Sequence, residues 1–309
     1  MPAFLITSAT GRQGGSAARI LLAQGAQVHA LVRDPTSDAA RALEKLGARL
    51  FKGDLNDGAA LRAATEGVSG VFINTFPDFT NPNGEQQQAE TVIAAAKAAG
   101  TVQSIVVSTV TGTNAEADWS QVAAQYPFLS QYYGSKAGAE QAVRDSGFKY
   151  TVVRPGWLMH NIIGAGVAYH FPDYRTKRVL TVSHAGNGPY TTAVLDAADV
   201  GVVVAKVLLE PVGFHGKEMD LEAETLTLEE MASQLTAVLG KEVTVKYRTE
   251  AETVEARKAL PTIESQLWRS SEKSKTDTSE LKKLNLKLTT FKEYLEREKD
   301  AVRNSVSLD

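Results

Sequence analysis

Phe4-Leu5-Ile6-Thr7-Ser8-Ala9-Thr10-Gly11-Arg12-Gln13-Gly14-Gly15 is the stretch that decides the fold. Phe4 to Ile6 is an apolar run long enough for a buried strand. Thr7 to Thr10 turns sharply, and Gly11, Gly14 and Gly15 open a helix whose apolar positions include Ala18, Ile20, Leu21 and Leu22. Strand, glycine-bearing turn and helix in succession aim backbone N–H groups and the positive end of a helix dipole at an anion. Glycine is needed where a side chain would hold the backbone away from a pyrophosphate. The ligand implied is a dinucleotide, contacted by Thr10, Gly11, Arg12, Gln13 and Gly14. An isolated glycine-rich turn can equally cap an ordinary surface helix. Here its position after a strand and before a helix meets the context that the fingerprint requires.

A second strand runs from Gln27 to Val32 and ends in Arg33. That is roughly 20 residues downstream, where a first strand–helix–strand unit places its ribose-reading residue. An acidic residue there would favour NAD. Arg33 suits a 2′-phosphate, and Arg12 can reach the same phosphate, two guanidiniums offering bidentate, charge-assisted contacts. Asp34 is read as starting a turn with Pro35. The expected cofactor is NADP(H).

Ser8 to Gly15, the Leu31-Val32-Arg33-Asp34-Pro35 that ends the second strand, and Gly53-Asp54-Leu55-Asn56-Asp57 after the third together resemble the NmrA-like family. That family is an atypical branch of the short-chain dehydrogenase/reductase superfamily. The resemblance continues through Val152 to Ile162 (VVRPGWLMHNI) and a late helix containing Asp199, so it covers most of the chain. The family usually has glycine where this chain has Ser8. The resemblance implies that Asp54 and Leu55 lie beside the adenine. It implies that Asn74 and Thr75 pass the pyrophosphate and nicotinamide ribose, and that Pro155 passes the nicotinamide carboxamide. On the residues alone, Asp54 is equally a cap of the turn that follows it.

The 309 residues suffice for one large α/β domain, or for a main domain with a smaller lobe. A net charge of −3 supplies no global basic field, so direct nucleic-acid binding is not expected. The absence of cysteine excludes disulfides, a thiol nucleophile and thiolate metal sites. Five histidines are scattered without ligand spacing, and no metal is expected. No apolar run approaches the ~18 residues of a membrane span, and no secretory leader is apparent; a cytoplasmic location is the expectation.

Strand and helix signals alternate through the first half. Strands are expected at Ala3–Thr7, Val28–Val32, Arg49–Lys52, Val71–Ile73, Ser104–Ser108 and Tyr150–Val153. Helices are expected over about Gly14–Gln24, Ala39–Leu46, Gly58–Thr65, Glu85–Ala99 and Ala137–Arg144. This repeat implies an α/β fold: a Rossmann-type doubly wound parallel sheet, with right-handed crossovers and a smaller α+β C-terminal substrate lobe. Residues 1–155 are expected to form the dinucleotide-binding domain, with a helix from the 194–209 region returning to it. Residues 156–309 are expected to form the smaller lobe. Strands are expected at Pro189–Thr192, Lys217–Leu221 and Val243–Tyr247, with a helix capped by Thr227 and Glu230, and the resemblance implies that these segments build that lobe.

Tyr132 and Lys136 are four apart, so on a helix they share a face. Short-chain dehydrogenases use this spacing for proton transfer. The resemblance therefore implies Tyr132 as acid, its pKa lowered by the Lys136 ammonium, with Lys136 also holding the nicotinamide ribose. Ser108 or Thr109, at the end of the fifth strand, is expected to polarise a substrate carbonyl, with Thr111 a third candidate. Out of context such a Tyr–Lys pair is commonly structural. Trp157, Met159 and His160 are expected either to line the substrate pocket or to pack the core.

Two functions fit. One is an NADPH-dependent oxidoreductase acting on a carbonyl, quinone, imine or activated C=C group of a small molecule. The other, implied by the resemblance, is an NADP(H)-binding redox sensor that regulates a protein partner without turnover. Neither substrate nor oligomeric state is legible.

Overall fold

A computed structural model describes residues 1–113, 119–186, 188–270 and 276–307. Expectations for residues 114–118 and 271–275 lie outside the described ones. The first half alternates strictly: β1 (Ala3–Ile6), α1 (Arg12–Ala23), β2 (Gln27–Val32), α2 (Asp38–Lys45), β3 (Arg49–Lys52), α3 (Gly58–Thr65), β4 (Gly70–Asn74), α4 (Gly84–Ala99) and β5 (Ser104–Ser108). Two helices, α5 (Trp119–Val122) and α6 (Pro127–Arg144), then precede β6 (Lys149–Pro155).

The second half holds β7 (Trp157–Leu158), α7 (Tyr174–Lys177), β8 (Val179–Val182), β9 (Thr191–Leu195), α8 (Ala197–Leu209), α9 (Pro211–Phe214) and β10 (Lys217–Leu221). It continues with β11 (Glu224–Thr227), α10 (Leu228–Leu239), β12 (Thr244–Tyr247), α11 (Glu250–Ala259), α12 (Ile263–Arg269), α13 (Ser279–Lys282), α14 (Phe291–Arg297) and α15 (Lys299–Arg303).

Seven strands form one sheet in the order β3-β2-β1-β4-β5-β6-β10, every pair parallel. A parallel sheet is covered on both faces, so its strands read as continuous apolar runs rather than alternating ones. Successive residues still divide between the faces. Phe4, Ile6, Phe72 and Val106 pack with α1 and α8 on one side. Leu5, Val71, Ile73, Ile105 and Val107 pack with α3 and α4 on the other. The strand order reverses beside β1, between the chain's first and second βαβ runs. In such sheets ligands bind there, outside the carboxyl ends of the strands.

Helix α6 begins ten residues earlier than the alanine-rich run predicts, because Pro127 occupies its first turn, where a missing N–H costs nothing. The expected strand at Pro189–Thr192 lies instead at Thr191–Leu195. It forms a three-stranded sheet with β7 and β11, while β8 pairs with β12. The chain after Gly156 also returns to the large sheet. Strand β10 pairs with β6, and α8 packs on α1. The two helices approach closely at Gly201, where a Cβ would stand 2.4 Å from the Cβ of Ser16. Ser16 Oγ donates to the Ala198 carbonyl at 2.8 Å. A third core, centred on Met159, Tyr174, Leu235 and Tyr294, lies under the smaller sheets. Among the described residues no helix is long and apolar enough to cross a membrane.

Candidate functional site

The glycine turn is tied to two strands. Gly11 N donates to Ser8 O at 2.8 Å, Asn74 N donates to Thr7 Oγ1 at 2.9 Å, and Ser8 Oγ donates to Asn74 O at 3.0 Å. Gly14 has no room for a side chain, since a Cβ there would lie 2.6 Å from the Ser8 carbonyl and 2.7 Å from that of Thr7. The N-terminus of α1 has no side-chain cap and no acidic residue in its first turn. Its free amides and dipole therefore remain available to an external anion. Arg12 and Arg33 are both exposed, and among the described residues neither is within ion-pair distance of a carboxylate. The charge of Arg12 is also felt at His160 and Tyr294, in the smaller lobe. Asp34 caps its own turn through Thr36, as read from its Pro35 neighbour. Asp54 is exposed and accepts from Asn56 N at 2.8 Å, while Leu55 beside it is buried.

The hydroxyls after β5 face three different ways. Ser108 Oγ donates to Gln13 Oε1 at 2.8 Å, joining the strand end to the glycine turn. Thr109 Oγ1 donates to Glu140 Oε1 at 2.6 Å. Glu140 in turn holds Arg154 bidentately, at 2.9 and 2.6 Å, and Arg154 reaches Glu218 on β10. Thr109 thus serves a buried ionic network that fastens α6 to the sheet edge. Thr111, whose amide donates to Pro155 O at 3.0 Å, lines a cavity of about 420 Å³.

Tyr132 and Lys136 lie on α6 with the Lys136 Nζ 5.1 Å from the centre of the Tyr132 ring. Lys136 is buried and donates to Glu85 Oε2 at 2.8 Å. Thr75 donates to the same oxygen, and Ser135 Oγ accepts from Glu85 N at 3.1 Å. Glu85 is fully buried, and its second oxygen, Oε1, has no partner among the described residues. Burial alone would lower the Lys136 pKa, but the neighbouring Tyr132 and Glu85 outweigh it and the ammonium is held above its ordinary value. The phenol departs from expectation. Burial raises the Tyr132 pKa, and the opposing pull of Lys136, already neutralised by Glu85, does not overcome it.

An aromatic file leads to this pair. Phe79 stacks on Phe128 at 5.3 Å between ring centres, and Phe128 lies parallel to Tyr132 at 6.4 Å. Behind it, Tyr133 stacks on Trp119 at 4.9 Å, and Trp119 meets Trp268 at 5.4 Å. Trp157 and Met159 are buried in the core of the smaller lobe. His160 is half-buried. Burial first, and then the Arg12 charge, push its pKa down to about 4, so it is neutral at pH 7.

Glu85 and Arg269 are the participants that sequence reading missed. A signal existed for Glu85: an acid one turn from Gln88 on an alanine-rich helix marks a polar face. Gln88 indeed clamps the loop after β4, accepting from Phe76 N and donating to Phe76 O. Arg269 lies in a charged segment without periodicity and carried no signal.

Quinone oxidoreductase 2 of Escherichia coli (strain K12) is 29% identical over 258 residues, covering 82% of this chain and 81% of that protein. A crystal structure of the NADPH-dependent quinone oxidoreductase QOR2 from E. coli, complexed with NADPH, matches with a TM-score of 0.72 at 26% identity over 95% of this chain and 99% of that one. The (4-alkanoyl-5-oxo-2,5-dihydrofuran-3-yl)methyl phosphate reductase of Streptomyces griseus is 32% identical over 238 residues, covering 77% and 74% of the two chains. NmrA, a negative transcriptional regulator in complex with NADP, shares the fold, with a TM-score of 0.76 at 23% identity over 100% of this chain and 98% of that one. The model of the NmrA-like family matches residues 3–295, and the chain belongs to that family.

Proposed function

We propose that this protein is an NADPH-dependent reductase of a small molecule bearing a carbonyl, quinone, imine or activated C=C group. The observation that carries the reading is the Tyr132–Lys136 pair, the centre of the Tyr132 ring lying 5.1 Å from an ammonium that Glu85 fixes in place. A neutral phenol can give a proton as negative charge develops on a substrate oxygen, and the neighbouring ammonium stabilises the phenolate left behind.

The chain also fits the cofactor. The uncapped start of α1, the cradle that a Cβ at Gly14 would fill, and the exposed Arg33 suit a pyrophosphate and a 2′-phosphate. Thr75, Glu85 and Lys136 offer donors and the orphaned Glu85 Oε1 acceptor to a ribose diol. By family resemblance we assign Asp54 and Leu55 to the adenine end, and Asn74 and Pro155 to the nicotinamide end. Bound NADPH supplies the hydride. Lys136 orients, Tyr132 gives the proton, and Ser108, facing Gln13 rather than the structural network, is the strand-end hydroxyl available to a substrate oxygen. The relatives named as quinone and dihydrofuranone-phosphate reductases support this class of chemistry.

The test is NADPH oxidation by the purified protein against quinones, aldehydes, ketones, imines and enones, with Tyr132→Phe beside the wild type. The variant is expected to lose about 100-fold or more in kcat while its NADPH affinity stays within twofold. Turnover unaffected by the substitution would remove Tyr132 from the mechanism. Silence across the panel, with tight NADPH binding, is the behaviour of a nicotinamide-sensing regulator, the second reading. The shared fold with NmrA supports that alternative.

A further inference from the structure

We propose that the substrate is an anion, and that Arg269 receives its carboxylate or phosphate in the cavity beyond Thr111. This rests on the reductase reading and names the substrate class for the same site. The cavity holds about 420 Å³, enough for a small organic molecule. Its wall includes Thr111, Thr192, Thr276 and Thr278, and among the described residues it holds one cation, Arg269, and one carboxylate, Glu222. An apolar substrate would displace water from those hydroxyls and leave the guanidinium without a counter-charge, which is costly in a half-buried site. An oxyanion would satisfy them, since hydroxyls donate to it and a guanidinium meets it with two parallel N–H groups.

Arg269 closes α12 and is half-buried. It donates to Thr192 Oγ1 at 3.3 Å and hydrogen-bonds Tyr133. Among the described residues it forms no ion pair, although the other buried guanidinium, Arg154, has two glutamates. A guanidinium out of bulk water without a carboxylate keeps its anion-binding capacity for something else. Glu222 does not supply the missing charge: its carboxylate accepts from Thr225 Oγ1 and lies beyond ion-pair distance of Arg269. The cavity is linked to the proposed reacting groups through Tyr133. Tyr133 links Arg269 to Tyr132, the two tyrosine rings meeting edge to face at 5.2 Å, and Thr111 comes from the end of β5. An anion on Arg269 would therefore tether the molecule whose reducible group reaches Tyr132.

The test titrates sodium benzoate, and separately inorganic phosphate, into protein saturated with NADP+. Sodium chloride at matched ionic strength is the control. Tryptophan fluorescence reports occupancy, because Trp268 adjoins Arg269 and contacts Trp119. The wild type is expected to give a saturable change with benzoate, phosphate or both. Arg269→Gln should weaken it at least tenfold and Arg269→Lys by less, with NADPH affinity in both variants reporting an intact fold. Benzoate binding alone would assign a carboxylate, and phosphate binding alone a phosphate ester. The proposal is overturned if the wild type responds no more to either anion than to chloride, or if Arg269→Gln binds them as tightly. Occupancy is read without turnover, so the two readings fail separately. Anion binding through Arg269 with no reduction of any panel compound, members bearing a carboxylate or a phosphate included, would count against the reductase alone. Reduction of neutral compounds with no anion binding would count against the anion site alone.

Discussion

Ser8 shows what one residue contributes to the glycine turn. Its φ of 48° is left-handed, a conformation that costs an L residue about 1–2 kcal/mol. The hydroxyl offsets part of this by donating to the Asn74 carbonyl, a bond worth roughly 0.5–1.5 kcal/mol. The serine that stands in place of the family's usual glycine thus keeps the turn and adds a tie to the end of β4. Glu85 carries a larger single contribution. It is fully buried, pairs with Lys136 and accepts from Thr75, so removing its charge leaves an ammonium uncompensated in the interior. Glu85→Gln is expected to cost about 3–5 kcal/mol of stability, measured by urea denaturation without cofactor. Adding Lys136→Met should recover much of the loss. A loss below about 1 kcal/mol would mean that water already screens the pair.

Elements were more legible than the residues between them. The βα alternation and the glycine stops are local signals, and β3, α3 and β5 fall at the predicted bounds. The position of β10 at the sheet edge beside β6 was not legible, because strand order depends on packing distant in sequence. The same limit applied to the site. Sequence could not choose between Ser108 and Thr109, yet neighbouring residues on an extended chain face opposite sides. One therefore meets Gln13 and the other Glu140, and only the tertiary structure says which. The pairing of α1 with α8 also joins distant segments. Helix α8 holds α1, whose first turn carries the proposed pyrophosphate contact, through contact at Gly201. A methyl there would strike the Ser16 side chain and the Ala17 amide, the latter at 2.6 Å. Gly201→Ala is expected to destabilise by about 1–3 kcal/mol and to weaken NADPH binding with it, because the displaced helix carries the proposed anion site. Urea denaturation and NADPH titration of the variant check both. Unchanged affinity in a destabilised variant would show that the first turn of α1 moves independently of α8.

At the scale of the whole molecule, two histidines make stability depend on pH. His160 and His170 both stand at about 4, chiefly because burial disfavours their charged forms, with Arg12 adding to the effect at His160 and Arg269 at His170. In the unfolded chain each returns to about 6.5. Between these values the unfolded chain takes up protons that the folded chain refuses. Stability is therefore complete above about pH 6.5 and falls as the pH is lowered towards 4, by at most about 3 kcal/mol per histidine. The raised carboxyls of Asp199 and Asp220 act in the opposite sense towards the acid end of this window. A comparison with the double variant His160→Gln/His170→Gln removes their contribution, since both proteins share them. Urea midpoints at pH 7.5 and 5.0 should show the wild type losing at least about 2 kcal/mol more than the double variant. Equal losses would mean that both imidazoles are solvated. The junction between the lobe and the glycine turn, where His160 feels the Arg12 charge, would then be open to water.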